Sequence, residues 1–184
     1  MDRRQRKTRE AIFTAFIELL SKKDFAQITV GEIINQADIG RATFYSHFES
    51  KDFLLKELSE ELFCHIFDAM NNEKEKHKHI FSCNAPESVF LHLIQHLKKN
   101  DNNILDLLSS HNNELFWLYF KQNLRELVLS QPVLFESQKS EKLPKDFLIN
   151  HITATLLETI RWWIDNGMKE SSETITEYFL SAIQ

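Results

Sequence analysis

Residues 29–52 read TVGEIINQADIGRATFYSHFESKD, and this stretch decides the fold. Thr29 is a good helix N-cap. Val30, Ile33, Ile34 and Ala37 then recur at three- and four-residue spacing, which predicts a short helix. Asp38-Ile39-Gly40 breaks it: Asp tolerates the left-handed backbone of a tight turn, and Gly40 can serve as an N-cap. From Arg41 to Phe48 a second short helix carries Phe44 and Phe48 as an i,i+4 apolar pair. Two short helices three residues apart have helix-turn-helix proportions. A helix enters a DNA major groove only when one face is bound to a scaffold and the other is polar and unobstructed. Phe44 and Phe48 supply the inner face, which leaves Arg41, Thr43, Tyr45, Ser46 and His47 for the outer one.

Helical periodicity continues on both sides. Upstream, Ile12, Ala15, Phe16, Leu19 and Leu20 form a stripe on a helix of roughly residues 6–21, and Phe25 and Ile28 return to the core. Downstream, Ser50 is placed to cap a long helix whose Leu54, Leu55, Leu58, Leu62, Ile66 and Met70 share one face. Residues 71–85 are polar and rich in His and Lys, as in an exposed connector. Pro86 suits the first turn of a fifth helix that continues through Leu97. Ile104 to Leu108 make a sixth, and Glu114 to Leu129 a seventh; Gln131 to Leu143 read as a loop. Pro144 opens an eighth helix stopped by Asn166-Gly167, and Ser171 caps a ninth. No stretch alternates at period two for long. The expected fold is all-α with about nine helices.

Composition sets the remaining bounds. A chain of 184 residues can bury a core without staples, and three glycines and three prolines are too few for a loop-rich sandwich. Cys64 and Cys83 make no disulfide framework, nothing at the N-terminus reads as a secretory signal, and no apolar run approaches a membrane span. A cytoplasmic location is expected. Charge is uneven: residues 1–56 hold ten Lys/Arg against eight Asp/Glu, and the remaining 128 hold twelve against nineteen, giving +2 and −7 for the total of −5. That asymmetry suggests two jobs, with the basic end facing a polyanion.

Thr29-Val30, Ile33, Ala37, Ile39, Thr43-Phe44-Tyr45, His47-Phe48, Ser50-Lys51-Asp52 and Leu54-Leu55 resemble the N-terminal domain of the tetracycline-repressor (TetR/AcrR) family. The segment Trp163-Ile164-Asp165-Asn166-Gly167, followed by Ser171 and an amphipathic helix, is similar to the last two helices of such proteins. Asp38, Gly40 and Ile34 depart from the family's pattern. The resemblance implies a ligand-responsive repressor that binds a palindromic operator as a homodimer joined by its last two helices. Residues 1–56 would be the helix-turn-helix domain, and residues 57–184 the effector-binding and dimerisation domain. Thr29 would offer its hydroxyl and N–H to a phosphate; Tyr45, His47, Lys51 and Ser46 would grip others. Arg41, Ala42 and Thr43 would reach base edges, Arg41 by a bidentate contact to guanine. Residues Arg3 to Arg9 would form a flexible arm along the duplex.

In the acidic part, Ile152, Leu156, Ile160, Trp163, Ile175 and Phe179 look like one half of a self-complementary four-helix interface, or else face the chain's own core. Phe116, Trp117, Tyr119, Phe120, Phe147 and Trp162 lie near polar Asn113, His92 and His96, a composition suited to a cavity for an unidentified small-molecule effector. Within that set, His92, His96, Phe116, Trp117, Phe120 and Trp162 are the expected ligand contacts. Alternatives are a co-activator docked to a separate sensor, and a metal-responsive regulator using His77, His79 and Cys83. No catalytic constellation and no cofactor motif is present, so neither an enzyme nor a cofactor is expected.

Overall fold

A computed structural model describes residues 3–70, 88–100, 103–109, 114–135 and 143–184. Regular structure among the described residues is wholly helical, as expected. The elements are α1 (Arg3–Leu20), α2 (Val30–Gln36), α3 (Arg41–His47), α4 (Lys51–Met70), α5 (Val89–Lys99), α6 (Ile104–Ser109), α7 (Glu114–Leu129), α8 (Lys145–Asp165) and α9 (Ser172–Ala182). Single 3-10 turns occur at Phe25–Gln27 and Pro132–Phe135. His77, His79, Cys83, Asn113 and Pro86 lie outside the described residues. Among those described, no helix is long and apolar enough to cross a membrane.

The first three helices form a small head around the apolar stripe of α1. Ile12, Phe13, Phe16, Ile28, Ile33, Phe44, Phe48 and Leu54 are all sealed from solvent, each contributing roughly 1.5–3 kcal/mol of burial. Phe13 meets Phe48 edge to face with ring centroids 5.5 Å apart. Helix α1 starts at Arg3, so residues 3–9 are not the flexible arm the sequence suggested. Arg, Gln and Lys are good helix formers, and Arg6 pairs with Glu10 one turn on. Arg9 is anchored outright: its guanidinium bridges Glu57 and Glu61 of α4 and lies 4.9 and 5.0 Å from the Phe13 and Phe48 ring centres.

Helix α4 leaves the head and runs into the body, where it packs against α5 and α7. Of its predicted face, Leu54, Leu55, Leu58, Leu62 and Ile66 are fully buried, and the side chain of Met70 lies outside what the structure describes. Phe63 joins them edge to face with Phe120 of α7 at 5.3 Å, and buried Ser59 accepts a hydrogen bond from Asn123 Nδ2 at 3.1 Å. The head also touches the body where Asn103 Nδ2 donates to the Ile17 carbonyl at 2.7 Å. Helix α5 is capped by Ser88, whose hydroxyl accepts from the Leu91 N–H at 3.3 Å.

Helix α8 lies on α7, and α9 lies against both α5 and α8. Ile152, Leu156, Ile160, Trp163, Ile175 and Phe179 are at most 1% exposed in the single chain. They face the chain's own core, the second of the two alternatives the sequence left open. The reason is three-sided packing: Phe179 meets Phe90 of α5 at 5.0 Å, and the Trp163 indole N–H donates to the Glu170 carbonyl at 3.3 Å. Lys98 of α5 donates to that same carbonyl at 2.6 Å. The apolar surface left outside on α8 and α9 is Phe147, Trp162 and Tyr178, which are 54%, 46% and 52% exposed.

Candidate nucleic-acid interface

The turn between α2 and α3 is built as the residue types suggest. Asp38 adopts φ 51°, the left-handed conformation, and the Ile39 N–H reaches back to the Ile34 carbonyl at 3.2 Å. Gly40 sits at φ −78°, where any residue is comfortable, and caps α3 without a side chain. Ile34 is accommodated, partly buried against the head core.

Helix α3 presents two unlike faces. Phe44 and Phe48 are 0% and 1% exposed, whereas Tyr45 is 48% exposed, and Arg41, Ala42 and Ser46 are exposed as well. Thr43 and His47 lie half-buried at the margins. The Tyr45 ring leans edge-on against Phe44 at 5.4 Å, with about half of the residue open to solvent. Ser46 donates to the Thr43 carbonyl at 2.7 Å and keeps its lone pairs for another donor. Exposed Arg3, Arg4, Arg6 and Lys7 on α1 add positive charge to the head.

Two of the expected phosphate contacts are engaged otherwise. Thr29 makes a full capping box with Glu32: its hydroxyl accepts from the Glu32 N–H at 3.2 Å, and its own N–H and O–H donate to Glu32 Oε2 at 2.9 and 2.8 Å. Glu32 is further paired with Lys23. The Lys23 hydrogen bond, then those from the Thr29 backbone and hydroxyl, hold the Glu32 carboxyl down to about 2. A carboxylate therefore occupies the α2 N-terminus that the sequence reading reserved for a phosphate. Lys51 is also turned inward. Its ammonium donates to the carbonyls of Phe25 and Ile28 at 3.0 and 2.9 Å and lies 4.4 Å from the Phe25 ring centre. It ties the start of α4 to the segment before α2.

The six expected effector contacts do not converge. Phe116 and Phe120 of α7 are fully buried core, and Trp117 is half-buried beneath the Arg161 guanidinium at 4.4 Å. Trp162 points the other way, into an open groove on the outer face of α8 and α9 with His151, Ala154, Glu158 and Tyr178. Adjacent residues on a helix diverge by about 100°, so burial of Trp163 forces Trp162 outward. His92 and His96 are both buried, each 2% exposed, on one face of α5. They meet a residue the sequence reading passed over, His65 of α4, with ring centroids 5.1 and 4.9 Å away. Burial, then the neighbouring His96 and His65, lowers the His92 imidazole to about 4. The i,i+4 spacing of His92 and His96 was readable; that a histidine 27 positions earlier joins them depends on how α4 packs on α5.

Comparison with known proteins gives a consistent picture. The model for bacterial regulatory proteins of the tetR family matches residues 12–58, and that for a transcriptional regulator C-terminal region matches residues 84–184. The chain is similar to the crystal structure of a TetR transcriptional regulator from Streptococcus agalactiae 2603V. The two are 35% identical with a TM-score of 0.73, over 100% of this chain and 97% of that one. A structure from Syntrophomonas wolfei str. Goettingen, 17% identical with a TM-score of 0.66, shares the fold over 97% of this chain and 93% of its own. The uncharacterized HTH-type transcriptional regulator YxbF of Bacillus subtilis (strain 168) is 41% identical over 69 residues, 37% of this chain and 18% of that protein. Across the curated relatives, the matched region spans 18–30% of their length.

Proposed function

The chain belongs to the tetR family of bacterial regulatory proteins, and on that premise we propose that it is a sequence-specific DNA-binding transcriptional regulator. It acts as a homodimer and represses transcription until an effector binds. Residues 1–56 read the operator; residues 57–184 dimerise and sense. The observation that carries this reading is the two-sided α3, with Phe44 and Phe48 sealed inside and Arg41, Ala42, Tyr45 and Ser46 outside. Arg41 reads guanine, Ala42 and Thr43 touch neighbouring bases, and Tyr45, His47 and Ser46 hold phosphates. Thr29 and Lys51 support this face rather than touching the duplex: one starts α2, the other fixes α4 to the head. One recognition helix spans too few base pairs to be selective. Two copies, about 34–36 Å apart, read a two-fold symmetric site.

The second copy docks on the outer groove of α8 and α9, through Phe147, Trp162 and Tyr178. The effector acts on α4, which belongs to both parts of the chain. Selection of bound duplexes from a random pool, followed by titration at several salt concentrations, tests the reading. The expected result is a palindromic consensus with affinity that falls steeply with salt. Absence of salt-sensitive binding to any duplex overturns it.

A further inference from the structure

The body holds a cluster of imidazoles that the packing of its apolar core does not explain. His92 and His96 lie one turn apart on α5, both sealed from solvent, and their Nε2 atoms are 3.1 Å apart. His65 of α4 completes the group: one ring nitrogen from each residue lies within 4.8 Å of the other two. A buried polar ring costs free energy unless its nitrogens are satisfied. Three rings drawn from two helices onto one point, two of them sealed and one half-buried, form a compact set of nitrogen donors.

We propose that His65, His92 and His96 bind a divalent transition-metal ion of the zinc class. Imidazole is a preferred ligand for such ions, at Zn–N distances near 2.0–2.1 Å. Two nitrogens 3.1 Å apart can both sit at that distance from one ion, subtending about 98°, close to the tetrahedral angle. His65 closes the triangle by moving its ring nitrogen inward by about 1.5 Å, within the swing of a side-chain rotation. The hydrogen bond now joining His92 to His96 is exchanged for two metal bonds, and the imidazole that donated it stays neutral by carrying its proton on Nδ1 instead of Nε2. Half-buried His65 gives the ion its way in. Three protein ligands leave the coordination shell to be completed by an exogenous donor, the arrangement of an exchangeable site rather than a structural one.

The location gives the ion a consequence. His65 is 14 residues beyond Lys51 on α4, about 21 Å along the helix axis. A metal bonded to both helices fixes α4 relative to α5 at the end of α4 remote from the recognition element. That regulatory consequence rests on the DNA-binding reading above; the metal site itself does not.

The test uses the full chain, stripped with a chelator and dialysed. Zn²⁺ is titrated with the melting temperature as readout, and Co²⁺ with its visible absorption. The expected result is one equivalent per chain, a chelator-reversible rise of about 5–10 °C at a hundredfold excess over Kd, and a tetrahedral cobalt spectrum. His65→Gln, at the half-buried position, is expected to weaken binding 10-fold or more while melting normally without metal. Cys64→Ser and the double variant His77→Gln/His79→Gln are expected to bind as wild type. An unchanged melting temperature with Zn²⁺, retention of binding by His65→Gln, or its loss in either control each overturns the site. Operator affinity, measured on the same samples without metal, reports the DNA-binding reading separately.

Discussion

Phe44-Tyr45 in the head and Trp162-Trp163 in the body are the same device used twice. In each, neighbouring aromatics on one helix diverge: Phe44 and Trp163 are fully buried, while Tyr45 and Trp162 are 48% and 46% exposed. The surroundings differ. Outside Tyr45 the exposed neighbours are Arg41, Ala42 and Ser46, a polar margin that suits a charged, hydrated partner. Outside Trp162 lie Tyr178 and Ala154, with ring centroids of Trp162 and Tyr178 6.4 Å apart, a surface suited to another apolar face. An exposed aromatic thus takes its meaning from what rims it.

The comparison is broken most severely through its buried members. Phe44→Ala and Trp163→Ala should each cost about 3–5 kcal/mol, because each leaves a large cavity in a sealed core. Denaturant unfolding measures this. Trp162→Ala should cost under about 1 kcal/mol in the same experiment, yet shift sedimentation from dimer to monomer. If Trp162→Ala sediments as wild type, the outer groove is not the dimer face.

The same pairs show what could be read in advance. The head was legible because polar residues interrupt its short helices at fixed offsets: Thr29, Asp38 and Gly40 give the boundaries, and Phe44 and Phe48 leave one inner side. In α8 an apolar stripe is wide enough to satisfy either the chain's own core or a partner, and spacing alone does not choose. Hence spacing leaves Trp163 open between core and interface and expects Trp162 beside an effector, whereas packing of α8 against both α7 and α9 buries the first and turns the second outward. The helical order was legible throughout. The Thr29–Glu32 box is spelled by its T-x-x-E spacing, but the engagement of Lys51 by the Phe25 and Ile28 carbonyls, and of His65 with His92 and His96, was not legible. A side chain's partner in another element is fixed only by the packing of the helices.

A second way to sharpen the contrast acts on the rim of Tyr45. Arg41→Ala should lose roughly 1–3 kcal/mol of discrimination between the best operator and single-base variants. Lys51→Ala should leave that discrimination intact while lowering the melting temperature of the protein. Equal loss of base preference in both variants would return Lys51 to the DNA contacts.

The smallest effects belong to the capping box. Thr29→Ala should cost about 1 kcal/mol of stability, and Glu32→Gln less. Glu32 is depressed in the folded state from its ordinary 4.5 to about 2, so its contribution is complete above pH 4.5 and is lost as pH falls towards 2. The stability gap between wild type and Glu32→Gln should therefore be constant near neutrality and close over that acid window. A gap that persists unchanged at pH 2.5 would mean that the ionised carboxylate is not what stabilises α2.

Helix α4, 20 residues long, is a rod of about 30 Å pinned at its first residue by Lys51. Arg9, gripping Glu57 and Glu61, ties α1 to the same rod. Tilting such a rod by about 5° carries its far end through roughly 2.6 Å, nearly half the pitch of an α-helix. In mechanical terms it is a lever. Under the proposed function, a disturbance too small to unpack the body would be enlarged by arm length alone before it reached the recognition helix.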